Sequence, residues 1–453
     1  MWPTNASSTV TALFGEERPH RYHAGIDIRT WGKTGYELYS IENGYIYRIR
    51  TSPRGYGKAI YIKLSDGNTA VYAHLKNFSP SLEKTVSLLH DFYNSYTIDH
   101  YFNPTEFPVK KGEIVGYSGD SGSLSGPHIH FELRNEKEHP LNPLLYFKIQ
   151  DNIPPIARKI AITPLDEFSK VDGHFLPQII EITKINSNNY RINEKIYIDG
   201  HVGLSLNVID RINDQPFNFG IYEIALSIDD TLLYKSKYDE YIFDEAQYIY
   251  TEKNYALKRE TGEIFTNLFT RYNNQKLLFI ENNSNGKINF NDTLLHKIEI
   301  KVKDYYNNEI TISGEIQNKK IPFLEFIIEN NNFKLSNPDS IVKMLSFQLT
   351  GFHPTDNYKN VNLKKKINGL YQFPEVKKPF QILSITPHII GDKILSPYYI
   401  SQKTEHPIDI NGHTKIVEYS YGVLFQFIED RFSNFNPKLA ITQKGKKTNY
   451  PMY

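Results

Sequence analysis

Apolar and polar residues alternate with a period of two through much of the first 150 positions. Glycine and Asp/Asn turns cut the alternation into short runs, which predicts strands rather than helices. Residues 59–75 give the clearest hairpin. Ile60, Ile62 and Leu64 alternate with Ala59, Tyr61 and Lys63, and Asp66-Gly67 supplies the turn. Thr69, Val71, Ala73 and Leu75 alternate on the return. Asp-Gly suits a turn whose central residues take positive φ. The same alternation puts Tyr72 and His74 on one face and Val71, Ala73 and Leu75 on the other.

Residues 78–107 break the pattern. Ser79 reads as an N-cap and Pro80 as the first helical residue, with Leu82, Val86 and Leu89 at helical spacing. Residues 96–101 read as extended, and the sheet resumes over 109–119. Asn152-Ile153-Pro154-Pro155 then marks a boundary, because paired prolines stop regular structure and stiffen a connection. Beyond it, 221–237 reads as a hairpin around Asp229-Asp230 and 296–316 as another around Asn307-Asn308. Regular strand and turn spacing suggests a β-sandwich. The expected architecture is mainly β. An antiparallel β-sheet domain covers residues 1–150, with a partly helical insertion at about 78–108. A β-sandwich domain covers 151–320, and a second β-rich region, rich in Asn and Lys, covers 321–453.

Composition and local sequence sharpen this picture. Aromatics reach 14%, with 33 Tyr and 27 Phe, which favours strands. The formal net charge of +1 gives a weak overall field, so nucleic acid is not an expected partner. The lysines at 364–366 and 444–447 read as solvated loops. There is no cysteine, so any metal must be held by His, Asp or Glu. No run of about 18 apolar residues predicts a transmembrane segment. The first 23 residues lack a charged segment followed by an apolar one, so either the chain is not exported by that route or a signal has already been removed.

The chemistry concentrates in the first third. His23 and Asp27 stand in HAGID, His74 in VYAHL, and His128 and His130 in GPHIHFELR. In a strand His128, His130 and Glu132 share one face while Ile129, Phe131 and Leu133 share the core side. A bend containing Gly25 lets His23 and Asp27 point together. His23, Asp27 and His130 are the expected metal ligands. Two imidazoles and one carboxylate acidify bound water less than three imidazoles would, so a nearby base is useful. His128 is the candidate base, and His74 the candidate for oxyanion stabilisation or water placement. Taken singly, each motif is weak: His-x-His arises by chance, and His-x-x-x-Asp is often a surface ion pair. Their order and glycine framing make the set specific. His20, His90, His100 and His139 carry no such context and read as surface or structural.

At these residues the chain resembles the M23 family of zinc metallopeptidases, the LytM/lysostaphin-type peptidoglycan endopeptidases. The matching segments are FGEERPHRYHAGIDIRTWGKTGYELYSIENGYIYRI, GYGKAIYIKLSDGNTAVYAHL and VKKGEIVGYSGDSGSLSGPHIHFELR. The resemblance implies one Zn2+ on His23, Asp27 and His130, with His128 and His74 as the catalytic pair. It implies a small antiparallel sheet with a groove walled by loops, and a cell-envelope, periplasmic or secreted location. The implied substrate is a peptide cross-link or stem peptide of bacterial peptidoglycan. A D-alanine–diaminopimelate link is the first expectation and glycine bridges the alternative. Two departures stand out. Ser123-Leu124-Ser125 replaces the more usual Ser-Thr-Gly-Pro type loop, and the insertion after His74 is long and expected to form a groove wall. The other expectation to weigh is a catalytically inactive M23-like regulator of cell-wall amidases, or an envelope-binding scaffold. The C-terminal β region carries no functional signal of its own; it is read first as a spacer, with an envelope protein or glycan as the partner it would bind.

Overall fold

The computed structural model describes residues 1–320, apart from 123–125, 148, 167–168, 175, 271–276 and 283–284, and beyond 320 only the backbones of strand segments between Phe326 and Pro451. The protein is mainly β. Its N-terminal part builds β1 Val10–Ala12, β2 Glu17–Arg18, β3 Arg21–Tyr22, β4 Ile26–Arg29, β5 Glu37–Tyr39, β6 Gly44–Thr51 and β7 Ala59–Leu64. It continues with β8 Thr69–Ala73, β9 Leu75–Phe78, helix α1 Pro80–Tyr93, β10 Ile98–Tyr101, β11 Pro108–Val109, β12 Ile114–Ser118 and β13 His128–Arg134.

The large sheet runs β1-β4-β13-β8-β7-β6-β10, with β11 also on β6. All these pairs are antiparallel. One face of this sheet packs on the three-stranded sheet β5-β12-β9. Ile26 and Ile28 of β4, Ile129 and Phe131 of β13, Ile60 and Ile62 of β7, and Tyr72 of β8 meet Leu38, Val115, Leu75 and Phe78 there. Strand alternation sends the neighbouring residues to the other face, where Ala59, Tyr61, Val71 and Ala73 form a small cluster with Tyr47 and Tyr56. That second face carries the histidines.

The 59–75 hairpin forms as expected, but the alternation fails at its end. His74 has φ 63°, a left-handed conformation that separates β8 from β9. Leu75 consequently lies in the core with Tyr72, and His74 leaves the Tyr72 face. Period-two reasoning misplaces both residues because it assumes an unbroken strand.

Helix α1 begins at Pro80 as expected, and Leu82 and Val86 enter the main core. Ser79 makes no side-chain cap; instead the Glu83 carboxylate accepts the Phe78 N–H at 2.7 Å. β10 pairs with β6 at the sheet edge farthest from β4, with β13, β8 and β7 between. The expectation that this insertion walls the groove is therefore corrected. Among the described residues the groove is lined from positions 11–32, 55–56, 74 and 126–130.

Beyond residue 150, Ile156–Pro164 pairs with Gln178–Lys184 and Val202–Ile209. Leu295–Lys303 pairs with Glu309–Asn318 and Glu223–Ile228. The Asp229-Asp230 turn has φ 47° and 63° at its two residues, the geometry a two-residue hairpin loop demands. Asn189–Ile192 links the two halves by running parallel to Glu309–Asn318. Both halves share one aliphatic core, including Ile160, Leu204, Ile224, Leu226, Ile300 and Ile312. The lysines at 364–366 and Lys444 lie outside the described residues, whereas Lys446 and Lys447 begin a strand, not a loop.

This β region is not packed independently of the N-terminal sheet. Ile212 and Phe219 enter the N-terminal core. Phe14, Tyr22 and Ala24 join Tyr222, Tyr238, Tyr241 and Phe279 in a second, largely aromatic cluster. Tyr22 lies with ring centroids 5.5 Å from Tyr241 and 5.3 Å from Phe279, separations at which aromatic pairs attract.

Candidate metal centre

Strand register creates the site. Asp27 on β4 sits directly opposite His130 on β13, and His130 sits opposite Ala73 on β8. Opposed residues of an antiparallel pair project to the same face, so the carboxylate and the ring meet without any loop. His23 reaches them from the bend before β4. Gly25 makes that bend feasible, since a Cβ there would lie 2.0 Å from the Phe131 carbonyl oxygen. His128 lies two residues before His130, on the same face. His74, redirected by its left-handed backbone, brings its ring 4.8 Å from that of His128.

The distances are short. His23 Nε2 is 3.1 Å from Asp27 Oδ1 and 3.1 Å from His130 Nδ1. His130 Nδ1 is 3.0 Å from Asp27 Oδ1. His128 Nε2 stands slightly apart, 3.7 Å from the same oxygen. His23 and His130 are 5% and 6% exposed, so these polar atoms are held out of water.

The second nitrogen of each ring settles which nitrogen faces the centre. His23 Nδ1–H donates to the Leu13 carbonyl at 2.7 Å, and His74 Nδ1–H to the Ser121 carbonyl at 2.8 Å. His128 Nδ1–H donates to the Gly126 carbonyl at 2.9 Å. His130 Nε2–H donates to Glu132 Oε1 at 2.8 Å. Each assignment follows from the partner being a pure acceptor. Every ring in its neutral form then turns a lone pair inwards. His23 Nε2, His130 Nδ1 and Asp27 Oδ1 are three acceptors in mutual contact, a set that only a cation or a shared proton satisfies.

The charges agree. Burial works against ionisation of Asp27, but the His23 and His130 rings more than offset it and hold the carboxyl well below its ordinary range. Burial pushes the His23 ring down. Burial also disfavours charge on His130, yet hydrogen bonds to Asp27 and Glu132 overcome it and push the ring up to about 9. Burial pushes His74 down to about 4. Two imidazole nitrogens and a carboxylate oxygen are a donor set suited to zinc, and the hydrogen-bonded outer nitrogens are the usual support for metal-binding histidines.

All five residues named from the sequence are thus brought together around one groove. Ser123–Ser125, the departure in the loop before His128, lies outside the described residues. Of the histidines set aside, His139 pairs with Glu240 at 2.8 Å and His90 bonds Thr51, and neither reaches the groove. Four supporting residues escaped sequence reasoning. Glu132, fully buried, receives His130, the Tyr56 hydroxyl and Arg134, and Arg134 with His130 holds its carboxyl down at about 2 against burial. Tyr56 also lies beside the His130 ring at 5.3 Å. Arg18, from the β2–β3 hairpin, contacts Asp27 Oδ2 at 3.2 Å. Glu132 had a usable signal, its place two residues after His130. Arg134 had the same signal, two residues further along β13, whereas Arg18 and Tyr56 come from remote segments with no spacing to read.

No family model matches the chain. The chain is similar to the DD-carboxypeptidase/endopeptidase Mpg of Neisseria meningitidis, 29% identical over 124 residues, and to that of Neisseria gonorrhoeae, 28% identical over 124 residues. These matches span 27% of this chain and 22% of the relatives, so the chain covers about a fifth of the length of the curated relatives it matches. Among solved structures it is similar to the catalytic domain of the prophage-encoded M23 protein EnpA from Enterococcus faecalis, with 25% identity, 30% of this chain and 88% of that chain covered, and a TM-score of 0.22. It is similar to the catalytic domain of lysostaphin from Staphylococcus simulans, with 20% identity, 30% and 90% covered, and a TM-score of 0.23. The resemblance to M23-type peptidases read from the motifs is thus met again in these comparisons.

Proposed function

We propose that this protein is a zinc-dependent endopeptidase that hydrolyses peptide cross-links or stem peptides of bacterial peptidoglycan, acting in the cell envelope. One observation carries the reading: the mutual contact of His23 Nε2, Asp27 Oδ1 and His130 Nδ1 within 3.1 Å, each aimed by a bond on its far side. Similarity to the Mpg endopeptidases supports the substrate class.

His23, Asp27 and His130 would hold the ion. A zinc ion supplies a Lewis acid for the scissile carbonyl and lowers the pKa of water towards about 7. His128 Nε2 is the base that takes a proton from the attacking water, because its Nδ1 proton is committed to Gly126. The same nitrogen then returns that proton to the departing amine. His74 Nε2 likewise offers a lone pair, since Nδ1–H is held by Ser121. It therefore orients the water by accepting a hydrogen bond. The Glu132–Arg134 pair keeps His130 in the tautomer that presents Nδ1. The inactive-regulator reading gives no reason for His128 and His74 to be held in this arrangement.

Asp27→Ala or His130→Ala is expected to lose both bound zinc and activity. His128→Ala is expected to keep the metal and lose turnover by about 10²–10⁴-fold. Metal content by elemental analysis, read beside mass spectrometry of muropeptides from digested sacculi, separates these outcomes and identifies the bond cut. A purified protein that holds no zinc, and gains no activity on adding it, would defeat the proposal.

A further inference from the structure

A second cluster of ligating oxygens lies outside the groove. Asp151 is in the connection that leaves the N-terminal sheet, Asp210 follows the strand Val202–Ile209, and Asp304 follows the strand Leu295–Lys303. One carboxylate oxygen from each lies within 4.8 Å of the other two. Asp210 is 1% exposed and Asp304 0%. Asp210 Oδ1 and Asp151 Oδ2 are buried without a hydrogen-bond partner, as is the Tyr306 hydroxyl two residues from Asp304.

Two of the carboxylates are aimed by their surroundings. Asp151 Oδ1 accepts the Ile153 and Asn213 N–H groups at 3.1 and 3.3 Å, which leaves Oδ2 free. Asp304 accepts the Tyr306 and Asn308 N–H groups at 2.8 and 2.9 Å and the Asn308 amide at 2.6 Å. Among the described residues no lysine, arginine or histidine forms an ion pair with any of the three. Burying orphaned carboxylate oxygens against one another is costly, and such groups are ordinarily paired or coordinate a metal.

We propose that Asp151, Asp210 and Asp304 bind one hard divalent cation, of calcium type, that fastens the β region to the N-terminal sheet. Oxygen-only donors select hard cations over zinc or copper. Calcium sits about 2.3–2.6 Å from its ligands, so two oxygens on one ion are at most roughly 5 Å apart, which the cluster meets. Burial, with Asp304 as neighbour, also pushes Asp210 up to about 9. A shared proton is therefore the competing way to relieve the cluster.

The placement gives the ion a task. Ile212 and Phe219, on the loop after Asp210, enter the N-terminal core, and Gln215 Oε1 on that loop accepts the Val10 N–H at 3.1 Å. Tyr305, next to Asp304, donates its hydroxyl to the Phe14 carbonyl at 3.1 Å. The adjacent Leu13 carbonyl holds His23. Fixing the three aspartates thus fixes the segment that aims a groove histidine.

The test uses the full chain freed of loosely held metal, with calcium chloride, magnesium chloride and zinc chloride as probes. Equilibrium dialysis is expected to retain one calcium per chain. At about a hundredfold excess over Kd, calcium is expected to raise Tm by roughly 3–4 °C. Asp210→Asn and, at the half-buried position, Asp151→Asn should lose both effects. Asp27→Ala should keep them, which separates this site from the groove. No retained calcium and no calcium-dependent shift in the folded wild-type chain would overturn the proposal, as would a preference for zinc that survives Asp27→Ala. A Tm that rises only on acidification, with no response to calcium, would assign the cluster to a shared proton and equally overturn it.

Discussion

Single side chains in this protein are governed by what lies behind them. Glu16 shows the principle outside the set of candidate ligands. It accepts the Gly220 N–H at 3.2 Å and pairs with Arg18 at 3.5 Å, yet burial outweighs both and pushes its carboxyl from 4.5 up to about 7. A raised carboxyl means the folded state holds more protons than the unfolded one between those values, so its contribution to stability falls as pH rises from 4.5 to about 7. Glu16→Gln keeps an acceptor for Gly220 and removes the titration. The variant should match wild type in Tm near pH 4 and exceed it at pH 7.5, and equal Tm values at both would contradict the burial argument. At this scale the sequence was informative for the candidate ligands and poor for their support. His128 and His130 could be placed on one face by counting, and Asp27 by its motif. Arg18 and Tyr56 could not, because they arrive from two other segments and contact the site only after folding.

At the level of elements, the hairpins at 59–75, 221–237 and 296–316 were all legible, since alternation and turn residues are local properties. What local pattern could not show was a strand that breaks. His74 gives up the ladder to adopt φ 63°, a conformation that costs a residue with a Cβ about 1–2 kcal/mol and glycine almost nothing. His74→Ala and His74→Gly should therefore lose activity alike, while denaturant unfolding should find the glycine variant more stable by about 1 kcal/mol. Equal stability would mean the left-handed turn is not strained. The insertion illustrates a different gap. Its helix and strand were readable, but sequence order said nothing of which sheet edge β10 would join, and that edge is remote from the groove.

For the whole molecule, the decisive feature is the shared packing between the N-terminal sheet and the β region. The Pro154-Pro155 boundary reads as a division near residue 150, yet side chains from both sides of it share cores. Phe14 and Tyr22 are 2% and 1% exposed only because Tyr241, Phe279 and their neighbours cover them. Uncovering a large buried side chain forfeits about 1.5–3 kcal/mol. A fragment ending near residue 150 should thus aggregate or melt well below the full chain in calorimetry. A fragment with the full chain's Tm would show the aromatic seam to be dispensable. Such long-range pairings, like the Asp151–Asp210–Asp304 cluster, join positions more than a hundred residues apart in places, and no spacing rule announces them.

Three of the four groove histidines have their outer proton parked on the main chain, at Leu13, Ser121 and Gly126. A main-chain oxygen is supplied by every amino acid. Natural variants should accordingly accept many different letters at those positions yet reject an inserted or deleted residue beside them. The protonation pattern of the centre is written in loop length more than in loop composition.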